Sequence, residues 1–179
     1  MSAQLDFSGR FVDYLTELAV RDRGALAVLR RSLSFAPGAY PAAYPHVERF
    51  VPDGHDQDAL RLALYLVAGL YASHPRHQAD TSLARSFGLL MHERQSPSIE
   101  KRFIALLSTD AEGLPELLRQ VVTLLAADGR ALDYAALLDD LVLWLRPWAF
   151  EARDRMRQRW ARDFYRTTAA GAAAEDTTA

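Results

Sequence analysis

Leucine and alanine supply 57 of the 179 residues, and valine and isoleucine only 11. That balance favours helix over strand: alanine and leucine lose little rotamer freedom in a helix, whereas β-branched side chains are restricted there. No segment alternates apolar and polar residues between turn signals, as a half-buried strand would. With half of its residues hydrophobic, the chain can bury a core. The expectation is an all-α fold, a single compact bundle of about eight to nine helices over 1–166, followed by a small, polar tail over 167–179 without stable structure.

Caps and prolines divide the chain. Phe7, Phe11, Leu15 and Leu18 have helical spacing and predict a first helix over 4–20. Leu26, Leu29 and Leu33 predict a second over 23–33. Residues 34–55 hold four of the eight prolines and read as a connector, with a short helix near Val47. Asp56 is placed to cap a helix over 57–73 that Pro75 stops, and Ser82 to cap one ending near Arg94. Ser96-Pro97 gives a cap followed by proline at the first helical position, and Pro115 suggests the same for the next helix. Asp133 opens a helix to Leu145, and Pro147 either kinks it or starts a last helix reaching about Arg166.

Several chemistries are absent from the sequence. Without cysteine there is no disulfide, thiolate nucleophile or cysteine-ligated metal. No Gly-rich phosphate loop, nucleophile elbow, Glu-x-x-His pair or zincin helix occurs. No apolar run spans a bilayer, and residues 1–10 lack a signal-peptide layout, so a soluble cytoplasmic protein is expected, without membrane contact. His55-Asp56, with His46 upstream, is the one pattern suggesting a metal-dependent phosphohydrolase, but helix capping explains Asp56 better. His74 and His77 lie where a helix ends and are expected to bond free carbonyls. Asp139 and Asp140 point about 100° apart on a helix, so one is expected to face solvent and the other to meet an arginine. No metal, cofactor or catalytic residue is expected.

The cations are unusual in kind. Of 21 basic residues, 20 are arginine and Lys101 is the one lysine. Guanidinium forks suit phosphate. The net charge is only −2, but residues 151–166 carry six arginines against three acids. Arg155, Arg159, Arg162 and Arg166 fall within about 60° of one another on a helix, and Ala152, Met156, Trp160 and Phe164 form a separate apolar stripe. Such a cationic line can follow a phosphate backbone. It can equally be a solvated face, partly quenched by Glu151 and Asp163. Arg23, Arg30 and Arg31, and Arg94, Lys101 and Arg102, extend the basic positions. Trp144, Trp148, Trp160, Phe164 and Tyr165 are read as core aromatics, with base stacking as the other possibility.

Five stretches in order resemble the CasB family, the small subunit of the type I-E CRISPR Cascade surveillance complex. They are DRGALAVLRR at 22–31, LYASHP at 70–75, SIEKRF at 98–103, DYAALLDDL at 133–141 and RWARDFY at 159–165. The resemblance covers roughly 10–165 outside the proline-rich connector. It implies a non-catalytic, all-helical antiviral-defence subunit with the other Cascade subunits, guide RNA and target DNA as partners. Two copies would associate in the complex, holding the displaced strand through sequence-independent backbone contacts. Arg23, Arg30, Arg31, Lys101, Arg102, Arg159 and Arg162 lie in matched stretches. Arg155 and Arg166 rest on helix geometry alone, and Met156 and Gln158 interrupt what is often a denser basic run. A helical adaptor for acidic protein partners is the alternative, with the His-Asp phosphohydrolase behind it.

Overall fold

A computed structural model describes the backbone over 2–54 and 57–176 and the side chains over 7–54 and 57–167. Among the described residues there are nine α-helices and no sheet. They are α1 (Ser2–Arg21), α2 (Arg23–Ser32), α3 (Tyr44–Val47), α4 (Asp58–Ser73), α5 (Leu83–Arg94), α6 (Pro97–Ser108), α7 (Leu114–Ala127), α8 (Tyr134–Leu145) and α9 (Phe150–Asp176).

The centre is α4. Every residue from Ala63 to Ala72 is buried, so this helix is apolar on all sides and needs neighbours all round. It receives α1 and α2 on one side, α8 along its length, and α7 towards the second half of the chain. There α5 packs on α6, α7 and α9, while α8 touches α9 and joins the halves. Tyr71 and Tyr134 meet edge-on at 5.1 Å between α4 and α8. The Tyr71 hydroxyl lies 2.9 Å from Thr16 Oγ1 on α1, and Tyr134 donates to the His74 carbonyl at 2.7 Å.

The caps decide where helices begin. Ser82 accepts from the Arg85 N–H, and Asp133 accepts from the N–H groups of Ala135 and Ala136 at 3.0 Å. Asp22, the one residue between α1 and α2, accepts from Ala25 at 2.9 Å, a cap the sequence reading did not single out. Other expectations shift. Ser96 makes no side-chain cap bond and instead meets Ser98 Oγ at 2.9 Å. Pro115 stands second in α7 rather than first. Pro147 lies in an irregular turn between α8 and α9, neither kinking one nor starting the other. The last helix continues to Asp176, past the end expected near Arg166. His55 and Asp56 lie outside the described residues; α4 starts at Asp58, with no side-chain cap bond from Gln57.

The connector between α2 and α4 is packed rather than loose. Ala43 and Val47 are fully buried, and Phe50 meets Phe11 edge-on at 4.9 Å. Glu48 accepts from Arg61 Nε at 2.9 Å and from the Tyr65 hydroxyl at 2.7 Å. The Arg61 hydrogen bond holds Glu48 below the usual glutamate range, and burial pushes Tyr65 upward. A single parallel bridge, His77 to Leu132, ties the α4–α5 connector to the α7–α8 connector. The His74 ring donates there to the Arg130 carbonyl at 2.6 Å, and His77 Nδ1 accepts from the Tyr134 N–H at 3.2 Å. Both histidines thus serve the structure.

Gly88 sets the closest approach of α5 to α9. A Cβ there would stand 2.6 Å from the Phe164 carbonyl oxygen. Backbone cannot swing aside as a side chain can. Gly88→Ala is therefore expected to destabilise the fold by about 2 kcal/mol, overpacking outweighing alanine's better helix propensity. Chemical denaturation with an unchanged m-value would register this as a lower midpoint.

Candidate nucleic-acid interface

All nine cations singled out from the sequence are exposed. They fall into three groups on different parts of the fold.

The first group lies on α2. Leu26 and Leu29 face inward, which leaves Arg23, Ala27, Arg30 and Arg31 on the outer side. The three arginines make no ion pair among the described residues. Arg21, at the end of α1, meets Glu17 one turn away at 3.5 Å.

The second group is at the start of α6. Lys101 makes no ion pair among the described residues. Arg102 Nη1 donates to Ser98 Oγ at 3.1 Å and shares a shallow groove with Arg119, Gln120 and Thr123 of α7. Arg119 faces the same groove and pairs with Glu116 at 2.5 Å.

The third group is the α9 stripe, and it is not uniform. Arg155 meets Glu151 at 3.4 Å, as expected of an i,i+4 pair. Such an exposed pair is worth about 0.3–0.5 kcal/mol, so a phosphate can readily replace the carboxylate. Arg159 is held more firmly, by the carboxylate of Asp140 on α8. Asp140 is buried, and its other oxygen accepts from Trp160 Nε1 at 2.6 Å. Desolvation raises the Asp140 carboxyl above the usual aspartate range, even with Arg159 and Trp160 pulling it down. Of the two adjacent acids, Asp140 meets an arginine, and Asp139 accepts from Ser8 on α1 at 2.6 Å rather than simply facing solvent. Arg162 and Arg166 make no ion pair among the described residues. Asp163 accepts from Ser82 at 3.1 Å.

The third group lies near the second. Phe164 of α9 stacks on Phe103 of α6 at 4.0 Å, and the Tyr165 hydroxyl donates to Glu100 at 2.9 Å. The α2 group is held apart on α1 and α4.

The aromatic expectation divides. Trp144, Trp160 and Phe164 are core residues, with the two indoles meeting edge-on at 5.6 Å. Tyr165 is partly exposed, and Trp148 is 78% exposed, so neither is core. Trp148 escapes the helical spacing because it sits in the turn after Pro147. Arg157 lies on the side of α9 away from the stripe, its guanidinium over the Trp144 ring at 4.8 Å and donating to the Thr109 carbonyl at 2.8 Å. Burial lowers its pKa, helped by nearby Arg153. Among the described residues no group of three His, Asp or Glu could hold a metal ion, and no helix is long and apolar enough to cross a membrane.

An exposed arginine surface on a helical scaffold is common to many proteins, and comparison with known ones is decisive. The family model described as CRISPR-associated protein Cse2 matches residues 25–165. This chain belongs to the Cse2 family. It is 42% identical over 170 residues to the CRISPR-associated protein Cse2 of Thermus thermophilus, covering 93% of each chain. The Cse2 fold is also that of M. ruber CasB, with a TM-score of 0.74 at 36% identity over 97% of this chain and 98% of the other. A chain in a CRISPR RNA-guided surveillance complex matches with a TM-score of 0.79 at 26% identity, covering 93% of this chain and 96% of its own. The Cse2 match covers most of α2, all of α6 and most of the α9 stripe; Arg23 and Arg166 lie just outside it.

Proposed function

We propose that this Cse2 family member is a non-catalytic small subunit of a CRISPR RNA-guided surveillance complex. It holds the guide RNA and target DNA region, including the displaced strand, through phosphate contacts from its arginine surfaces. The observation carrying this reading is the set of exposed cations without a carboxylate partner among the described residues: Arg23, Arg30 and Arg31 on α2, Lys101 on α6, and Arg162 and Arg166 on α9. A chain with net charge −2 has acids to spare, yet no described carboxylate pairs with these positions. Arg102, Arg155 and Arg159 form a second tier, each already engaged by a neighbour. Opening a duplex against a guide is nearly balanced in energy, so a few backbone contacts decide whether the open state persists.

The test is the salt dependence of target binding by the reconstituted complex. Each phosphate contact to a single strand contributes about 0.7 to the slope of log affinity against log salt. Replacing Arg23, Arg30 and Arg31 together by alanine should lower that slope by about 2, and Arg162 with Arg166 by about 1.4. An unchanged slope in a complex of normal subunit composition would remove that surface from the mechanism.

A further inference from the structure

The turn between α8 and α9 carries a feature that neither the core nor the arginine stripe uses. Trp148 is 78% exposed and Phe150 62% exposed, two large rings in solvent two positions apart in the chain. Leaving such rings in water is unfavourable. The surrounding charge says what suits them. Arg146 is exposed and makes no ion pair among the described residues. The Arg153 guanidinium lies over the Phe150 ring at 5.1 Å, with the Trp144 carbonyl at 3.5 Å as its hydrogen-bond acceptor. Arg157, one turn on, bonds a carbonyl as well. The acids nearby are Glu151, which pairs with Arg155, and Asp154, which acts on Arg157 through space.

We propose that Trp148 and Phe150 form a stacking platform for unpaired bases of single-stranded DNA, with Arg146 and Arg153 taking the adjoining phosphates. A protein partner would have to bring acids to these guanidiniums and an apolar pocket to the indole. A strand of nucleic acid carries both anion and flat ring in each repeat, and aromatic rings interleaved with cations are how single strands are held without sequence preference. The unpaired strand in the proposed function above is displaced DNA, so the platform is assigned to DNA. The platform rests on the nucleic-acid reading above, but it adds base contact, where the stripes offer phosphate contact alone. It lies on a different side of α9 from the stripe, since Phe150 and Arg153 are displaced by about 140–160° from Arg155.

The indole is its own probe. Trp144 and Trp160 are each 1% exposed, so an added oligonucleotide quenches Trp148 and leaves the other two. Titrating the full chain with oligothymidylate should quench the exposed fraction of the emission. Trp148→Ala should weaken binding about 5- to 150-fold, as loss of one stacked base does, and Trp148→Phe should keep most of the affinity. An abasic strand of equal length should bind the parent and Trp148→Ala alike. Oligouridylate should quench no better than oligothymidylate. At so exposed a position the variants should fold normally, which circular dichroism checks.

If Trp148→Ala binds oligothymidylate as the parent does, while the α2 triple variant lowers the salt slope, the platform falls and the nucleic-acid reading stands. If Trp148→Ala loses partner subunits but no DNA affinity, the turn is a protein interface and the proposal is wrong. Tighter binding of oligouridylate would overturn the choice of DNA. If neither the free chain nor the reconstituted complex binds a single strand, both readings fall together.

Discussion

Phe164→Ala is expected to lower stability by about 4 kcal/mol, the middle of the range for a buried aromatic. The ring is fully buried, stacks on Phe103 at 4.0 Å and meets Phe87 at 6.2 Å, so it joins α9 to both α5 and α6. Its carbonyl is the group that Gly88 approaches, so the void cannot close by bringing the two helices nearer. For a domain of this size the loss should appear as a fall of roughly 10 °C in Tm. Calorimetry checks this, and a fall of only a degree or two would mean that the three-ring contact is not what fixes α9. Arg162 and Arg166 flank this anchor, so the same variant should also blur the geometry of the α9 stripe while leaving α2 in place.

Asp140→Ala is expected to be nearly as damaging, at about 3 kcal/mol, because it leaves the buried Trp160 N–H without an acceptor and releases Arg159. The figure sits at the low end for a broken buried pair because the Arg159 side chain is 49% exposed and regains water. Asp140→Asn keeps an oxygen for Trp160 and should lose about 1 kcal/mol. The pH dependence has a definite sign. Burial raises the Asp140 pKa in the folded chain above its unfolded value. The folded state therefore takes up this proton first as pH falls. The resulting stabilisation is complete below the ordinary aspartate range and is lost as pH rises through the raised folded value. The parent should gain on Asp140→Asn as the solution is acidified from neutrality. Melting the two proteins side by side across that window tests it, and a gap that narrows on acidification would show that Arg159 outweighs burial.

The helices were legible because their ends are written in short-range chemistry. Asp133 and Ser82 cap where their side chains say they should, and Pro97 opens α6. The exposure of the nine cations was legible too, since helical spacing separates Leu26 and Leu29 from Arg23 and Arg30 by simple rotation. Pairing was less so. An arginine at position 159 looks the same in sequence as one at 162, and only the packing of α8 on α9 brings a buried carboxylate to the first. Trp148 was misread because helical spacing was applied across a turn that is not helical. Gly88 gave no signal, since its role depends on a backbone atom 76 positions away on another helix.

The packing of α1 on α8 bears on how the chain is made. The Ser8 to Asp139 hydrogen bond closes a span of 131 residues. Synthesis at about 5–20 residues per second delivers the partner surface on the order of ten seconds after α1 leaves the ribosome. During that interval α4, apolar on every side, has also emerged and waits for the same helix. The first half of this protein is therefore not a module that can fold and stand by itself. Its nascent chain is a client for whatever shields apolar helices in the cell, and a ribosome that stalls before α8 releases a product with its central helix uncovered.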